Sequence, residues 1–260
     1  MIYNLLILLF TTNAFGMGLL QPKPEISKKH CTTFLDNGAS WTTHNYFSDN
    51  QSAEQKKEIV NRVKSRGYTR IYLMATNQGD YGGGNPIEYN HAKKDSWLKA
   101  LKSMREKGLG TVMWVRTDDS PKYDKWTDNQ WKSYMDTLVK DLDSQIDEYV
   151  MCLECNEYWS QSRTIGLTNY LRGLTKKDVG VHTTGVSAIG YASSADKYYL
   201  QTGFNKPESE IIKLVKQAVA QFGGRPVILA EYSKTDDAKA HKLCAAGMAN
   251  GADGCGNGCD

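Results

Sequence analysis

Short apolar, β-rich runs alternate with amphipathic stretches of helical period along the 260-residue chain. CTTFLDNG from residue 31, TRIYLMAT from 69, TVMWVRT from 111 and EYVMCLE from 148 read as strands. VGVHTT from 179, KYYLQTG from 197, PVILAEYS from 226 and ADGCGNG from 252 continue the series. Between them the period changes from 2 to 3.6. Ser52 and Gln55 form a capping-box pair ahead of Ile59, Val60 and Val63, and Gly67 is placed to stop that helix. Trp97, Leu98, Leu101 and Met104 share one face of a helix expected from Asp95 to Gly108. Thr127 and Gln130 open another, with Trp131, Tyr134, Met135, Leu138 and Leu142 on its buried side. Helices are also expected around Leu167 to Leu174, over Ile211 to Val219 behind Pro207, and across residues 236–251.

Eight strands alternating with seven helical segments, counting the small Ser/Ala-rich segment that leads to KYYLQTG, predict an α/β chain folded as a single compact (β/α)8 TIM barrel over residues 31–260. An open doubly wound sheet is the runner-up, and the strand count weighs against it. The eighth strand runs to the end of the sequence, so the final helix of the usual barrel is expected to be missing. Residues 1–16 read as a signal peptide, with Leu5 to Phe10 unbroken apolar and Ala14-Phe15-Gly16 as its small-x-small cleavage site. That run carries no Lys or Arg ahead of it and is too short to span a bilayer. Cleavage leaves a secreted chain starting near Met17, with residues 17–30 as a polar linker and no stable membrane insertion.

Composition narrows the class. Forty per cent of the residues are hydrophobic, enough for one large core, and 32 basic against 29 acidic residues leave a net charge of +3. No Lys/Arg run marks a nucleic-acid footprint. Fifteen Tyr and six Trp suit stacking on sugar rings, and a monomer with a carbohydrate substrate is expected. Six cysteines fit an oxidising compartment, although six allow fifteen pairings. A bridge from Cys31 to Cys255 or Cys259 would tie the chain ends. Cys152-Leu-Glu-Cys155 matches C-x-x-C by letter, but it is read as lying within a strand, where residues three apart face opposite sides. Buried small residues, or one half of a disulfide, is the preferred reading over a redox or zinc motif.

Barrel enzymes gather their chemistry at the C-terminal strand ends. Those positions here are Asp36, Asn37 and Trp41 after the first strand, Thr76, Asn77 and Gln78 after the second, and Arg116, Asp118 and Asp119 after the third. The fourth brings Asn156, Glu157, Tyr158 and Trp159, the fifth His182, the sixth Gln201, the seventh Glu231 and Tyr232. Carboxylates on strands four and seven face each other across the mouth. Such a pair suits glycosidic cleavage, one protonating the leaving oxygen while the other attacks the anomeric carbon.

Asn156-Glu157 ending strand four, with Glu231 ending strand seven, resembles the clan A retaining glycoside hydrolases. YYLQTGFN, VILAEYS and the small-residue run AAGMANGADGCGNG resemble the second half of that clan's compact members, while the first half matches in layout only. A Trp on the eighth strand is lacking. The resemblance implies a double displacement in which Asn156 binds the sugar 2-hydroxyl, Glu157 is the acid/base and Glu231 the nucleophile, with no metal or organic cofactor required. Trp159, His182, Gln201, Tyr232, Trp41, Asn37 and Arg116 are the remaining candidate substrate contacts. Trp114, being mid-strand, reads as barrel filler. Glu154 competes with Glu157, and is read as a structural carboxylate paired with a buried cation such as Arg116 or Arg70. Two other functions stay open: a non-catalytic carbohydrate-binding barrel, and an inverting hydrolase or lyase using Asp118 or Asp119.

Overall fold

The computed structural model describes residues 30–33, 46–47, 51–77, 87–117, 121–233 and 238–256. Eight parallel strands close into a barrel: β1 (His30–Thr33), β2 (Arg70–Met74), β3 (Gly110–Arg116), β4 (Glu148–Cys152), β5 (Asp178–Thr184), β6 (Lys197–Gln201), β7 (Val227–Ala230) and β8 (Gly254–Cys255). Each strand pairs with its chain neighbours, and β8 returns to β1 through His30 opposite Gly254 and Cys31 opposite Cys255. This is the expected (β/α)8 architecture. The segments read as signal peptide and linker lie outside the described residues except for His30, and so do residues 257–260. Among the described residues no helix is long and apolar enough to cross a membrane.

Among the described residues six helices longer than one turn run outside the barrel: α1 (Ala53–Ser65), α2 (Lys94–Glu106), α3 (Asp128–Leu142), α4 (Gln161–Leu174), α5 (Glu208–Gln221) and α6 (Ala238–Ala249). Both capping boxes form. Ser52 Oγ accepts from Gln55 N at 3.2 Å and Gln55 Oε1 from Ser52 N at 2.7 Å, and Thr127 and Gln130 repeat the exchange at 3.3 and 2.8 Å. Gly67 ends α1 at φ +77°, with Tyr68 N bonded back to Val63 O and Gly67 N to Lys64 O, a Schellman close that needs the left-handed glycine. The helix expected around Leu167 begins six residues earlier, capped by Ser160 Oγ on Arg163 N. Its buried face includes Thr164 and Thr168, whose hydroxyls hide the helical period from a hydrophobic pattern.

Between β5 and β6 the connection is a 3₁₀ segment, Val186–Ala192, in place of an α-helix. Thr76–Asn77 and Ile87–Glu88 form a short antiparallel pair that brackets the YGGGNP stretch. Thr76 and Asn77 are therefore buried in local pairing: Thr76 Oγ1 donates to Val115 O at 2.8 Å, and Thr117 Oγ1 donates to Thr76 O at 2.7 Å.

The apolar side chains divide into a large shell between sheet and helices and a small cluster inside the barrel. The inner cluster holds Tyr72, Trp114 and Tyr199, whose rings meet edge to face at centroid distances of 5.3 to 6.0 Å. Trp114 thus fills the barrel. Gly180 is required beside it, since a Cβ there would run into the Tyr199 ring. At the N-terminal strand ends, buried Glu148 accepts from Lys197 Nζ at 2.5 Å, from Arg70 Nη1 at 3.4 Å and from Tyr199 Oη. Arg70, expected beside Glu154, is thus engaged at the opposite end of the barrel, because β2 and β4 both begin there.

Candidate active site

The open end of the barrel is built from the residues that follow β3, β4, β5, β6 and β7. On β5, His182 is fully buried with its ring edge-on to Trp114, 5.4 Å between centroids. Its Nδ1 receives the backbone N–H of Glu154 at 2.9 Å. An amide can only donate, so Nδ1 carries the lone pair and the ring proton sits on Nε2. Nε2 faces Glu231 Oε2 at 3.5 Å. Burial lowers the imidazole pKa to about 3, so His182 is neutral at ordinary pH. One ring therefore touches the ends of β4 and β7 together.

Those two ends share an unusual backbone. Glu154 follows β4 at φ +45°, and Glu231 follows β7 at φ +45°. Left-handed conformations are costly for residues with a Cβ and persist where surrounding structure enforces them. Asn205 is the one other non-glycine residue with positive φ among the described residues. Glu231 is 4% exposed. Glu154 is half-buried, whereas Glu157, three residues on in the one-turn helix Cys155–Tyr158, is exposed.

The other candidates divide. Gln201 ends β6 beside Ala230, next to Glu231, and among the described residues its buried Oε1 has no hydrogen-bond partner. Tyr232 is fully buried. Asn156 is tied to the end of β5, donating to Thr184 Oγ1 at 2.6 Å and accepting from Thr184 N at 2.9 Å. Trp159 is 4% exposed and packs against Trp131 at 5.4 Å, with the Arg163 guanidinium 5.0 Å from its ring. Arg116 is buried; its Nε and Nη2 meet Asp124 Oδ1 at 3.0 and 2.5 Å, Nη1 donates to Leu153 O at 3.1 Å, and the guanidinium stacks 3.9 Å from Tyr158. Asn37, Trp41, Asp118 and Asp119 lie outside the described residues.

The C-x-x-C pair is not inside a strand. The β4 ladder ends at Cys152, the chain turns left-handed at Glu154, and Cys152 and Cys155 are bonded to each other with Cα atoms 5.3 Å apart. The strand reading failed because the positive φ of a glutamate leaves no mark in sequence. Cys255 pairs with Cys244, which excludes a Cys31–Cys255 bridge, and Cys259 lies outside the described residues.

No protein-family model and no curated protein sequence matches the chain. Solved structures do. A family 5 glycoside hydrolase from Bacteroides vulgatus superposes with a TM-score of 0.63 at 12% identity, over 80% of this chain and 56% of that one. The barrel is built like those of glycoside hydrolases. A family 113 β-1,4-mannanase gives 0.59 at 10% identity over 89% of both chains. Cel5A of Thermotoga maritima, solved with mannotriose, gives 0.57 at 8% identity over 85% of this chain and 89% of its own.

Proposed function

We propose that this protein is a secreted retaining glycoside hydrolase acting on an oligo- or polysaccharide, with Glu231 as nucleophile. The observation that carries the reading is the placing of Glu154 and Glu231 at the ends of β4 and β7, both at φ +45°, with the Glu154 backbone N–H on one nitrogen of His182 and the Glu231 carboxylate facing the other. Attack by Glu231 on the anomeric carbon would form a glycosyl-enzyme. An acid on the β4-end turn protonates the leaving oxygen and then activates water, giving net retention. That turn offers two acids. The resemblance gives the role to Glu157; the structural observation favouring Glu154 is its place directly beyond β4, half-buried, with its backbone N–H on the imidazole that faces Glu231.

A neutral His182 with its proton on Nε2 is a hydrogen-bond donor toward Glu231. It orients the nucleophile without adding positive charge that would weaken it. Gln201 Oε1 supplies an acceptor for a sugar hydroxyl beside that carboxylate. Similar structures include a β-1,4-mannanase and an enzyme solved with mannotriose, which makes β-mannans the first substrates to try. The two disulfides among the described residues fit an oxidising, extracytoplasmic site of action.

The test is hydrolysis of a broad polysaccharide panel by the wild type and by Glu231→Gln, Glu154→Gln and Glu157→Gln, each checked for native circular dichroism. Glu231→Gln is expected to lose at least about 10³-fold in kcat, an effect of the size found when a positioned group in a reacting pair is removed. Glu154→Gln is expected to lose a similar factor, and Glu157→Gln less than tenfold. Loss at Glu157 with Glu154→Gln active would return the acid/base role to Glu157. Product NMR showing anomeric inversion, or saturable sugar binding without turnover, would remove the retaining mechanism.

A further inference from the structure

We infer that the Cys152–Cys155 disulfide is a positioning clamp that holds Glu154 in its left-handed turn at the mouth of the barrel. The inference rests on the reading that Glu154 is the acid/base. The backbone N–H and C=O of Glu154 and of the preceding Leu153 are all committed. Leu153 N donates to Arg116 O at 2.9 Å, and Leu153 O accepts from Arg116 Nη1 at 3.1 Å. Glu154 N donates to His182 Nδ1 at 2.9 Å, and Glu154 O accepts from Glu157 N at 2.9 Å. The disulfide closes this segment covalently, joining the last residue of β4 to the first residue of the following turn of helix.

A side chain at φ +45° needs such over-determination, because the relaxed backbone of a glutamate lies elsewhere. Released, the turn would no longer be held with its Glu154 amide on His182, and the direction in which the Glu154 side chain leaves the backbone would change. The ring closed here spans a sequence separation of 3, against 11 for Cys244–Cys255. A short ring restricts the unfolded chain less, so the contribution of Cys152–Cys155 falls on local geometry more than on global stability. Both sulfur-bearing residues are fully buried, a setting for a permanent constraint in place of an exchanging dithiol. Cys244–Cys255, which ties α6 to β8 away from Glu154, provides the internal control.

The experiment compares the full chain with Cys152→Ala/Cys155→Ala and Cys244→Ala/Cys255→Ala. Where the first pair fails to fold, the bulkier Cys152→Val/Cys155→Ala replaces it. Two readouts are used. The δ-carboxyl of Glu154 is titrated by ¹³C NMR, assigned with Glu154→Gln. Hydrolysis of 4-nitrophenyl and 2,4-dinitrophenyl β-mannobiosides is then measured, since the activated dinitrophenolate leaves without acid assistance and the nitrophenolate depends on it more. Loss of Cys152–Cys155 is expected to shift the Glu154 titration midpoint by at least half a pH unit. It should lower kcat/KM, which reports only the steps up to departure of the phenolate, about tenfold on the nitrophenyl substrate and leave kcat/KM on the dinitrophenyl substrate within threefold. Loss of Cys244–Cys255 is expected to lower Tm and move none of these. An unmoved Glu154 titration in the first variant overturns the clamp. A shifted titration, with neither glycoside nor any polysaccharide of the panel cleaved by the wild type, keeps the clamp and removes the hydrolase reading.

Discussion

His182 shows how a single buried ring converts packing into chemistry. Trp114 covers one side, the Glu154 amide fixes the tautomer, and Nε2 is left toward Glu231. The same burial makes it a stability sensor. Its pKa falls from an ordinary 6.5 to about 3 in the folded protein, so the unfolded chain takes up the proton first. The stability that the neutral ring contributes is complete above about pH 6.5 and is lost as pH falls toward about 3. Through that window the folding equilibrium should weaken by up to about tenfold per pH unit, one proton's worth. Urea denaturation of the wild type and His182→Gln at pH 7, 6, 5 and 4 checks this; parallel curves for the two proteins would contradict it. In sequence His182 was legible only as a polar residue near the end of a strand. Its tautomer depends on an amide 28 residues away.

At the scale of elements, most boundaries were legible because their signals are local. The two capping boxes, the Gly67 close and the apolar stripes of α1 to α3 each depend on residues within a few positions of one another. Replacing Thr127 by Ala removes the acceptor for Gln130 N and half of a reciprocal pair, and is expected to cost about 1 kcal/mol in chemical denaturation. A cost near zero would mean that the anchoring of α3 lies elsewhere. One such anchor is Asp141 on α3. Its burial would raise the carboxyl, but hydrogen bonds from His91, Tyr89 and Lys94 outweigh this and bring it to about 2. The β4-end turn was misread for the opposite reason. Its conformation is imposed by Arg116, His182 and the disulfide together, and only one of those partners is near in sequence.

For the whole molecule, the barrel carries a charged layer at one end and the proposed site at the other, with an aromatic layer between. Glu148 is the centre of the charged layer, and Lys197 also meets Asp178 at 3.3 Å. Glu148→Ala would leave Arg70 and Lys197 facing each other across a buried gap. A loss of about 3 kcal/mol is expected, at the lower end for breaking a buried pair because Asp178 remains. Guanidinium unfolding measures it, and kcat in the surviving folded fraction should change little, since the aromatic layer separates Glu148 from the mouth.

The strand and helix series, the count of eight strands that closes a barrel, and the rim residues from which a site could be drawn were all written in the pattern of the chain. Those follow from periodicity and from the rule that barrel chemistry gathers at the strand ends. Tertiary structure alone decided which rim residues meet. It engaged Arg116 with Asp124 and Leu153, turned Asn156 to Thr184, buried Trp159 among other rings and joined Cys152 to Cys155. It also gave Glu154 the same left-handed backbone as Glu231. Periodicity records which face of an element is buried, a property of the local chain. Partner choice at the mouth depends on strand register and on strained backbone angles, which arise only when distant segments close around each other.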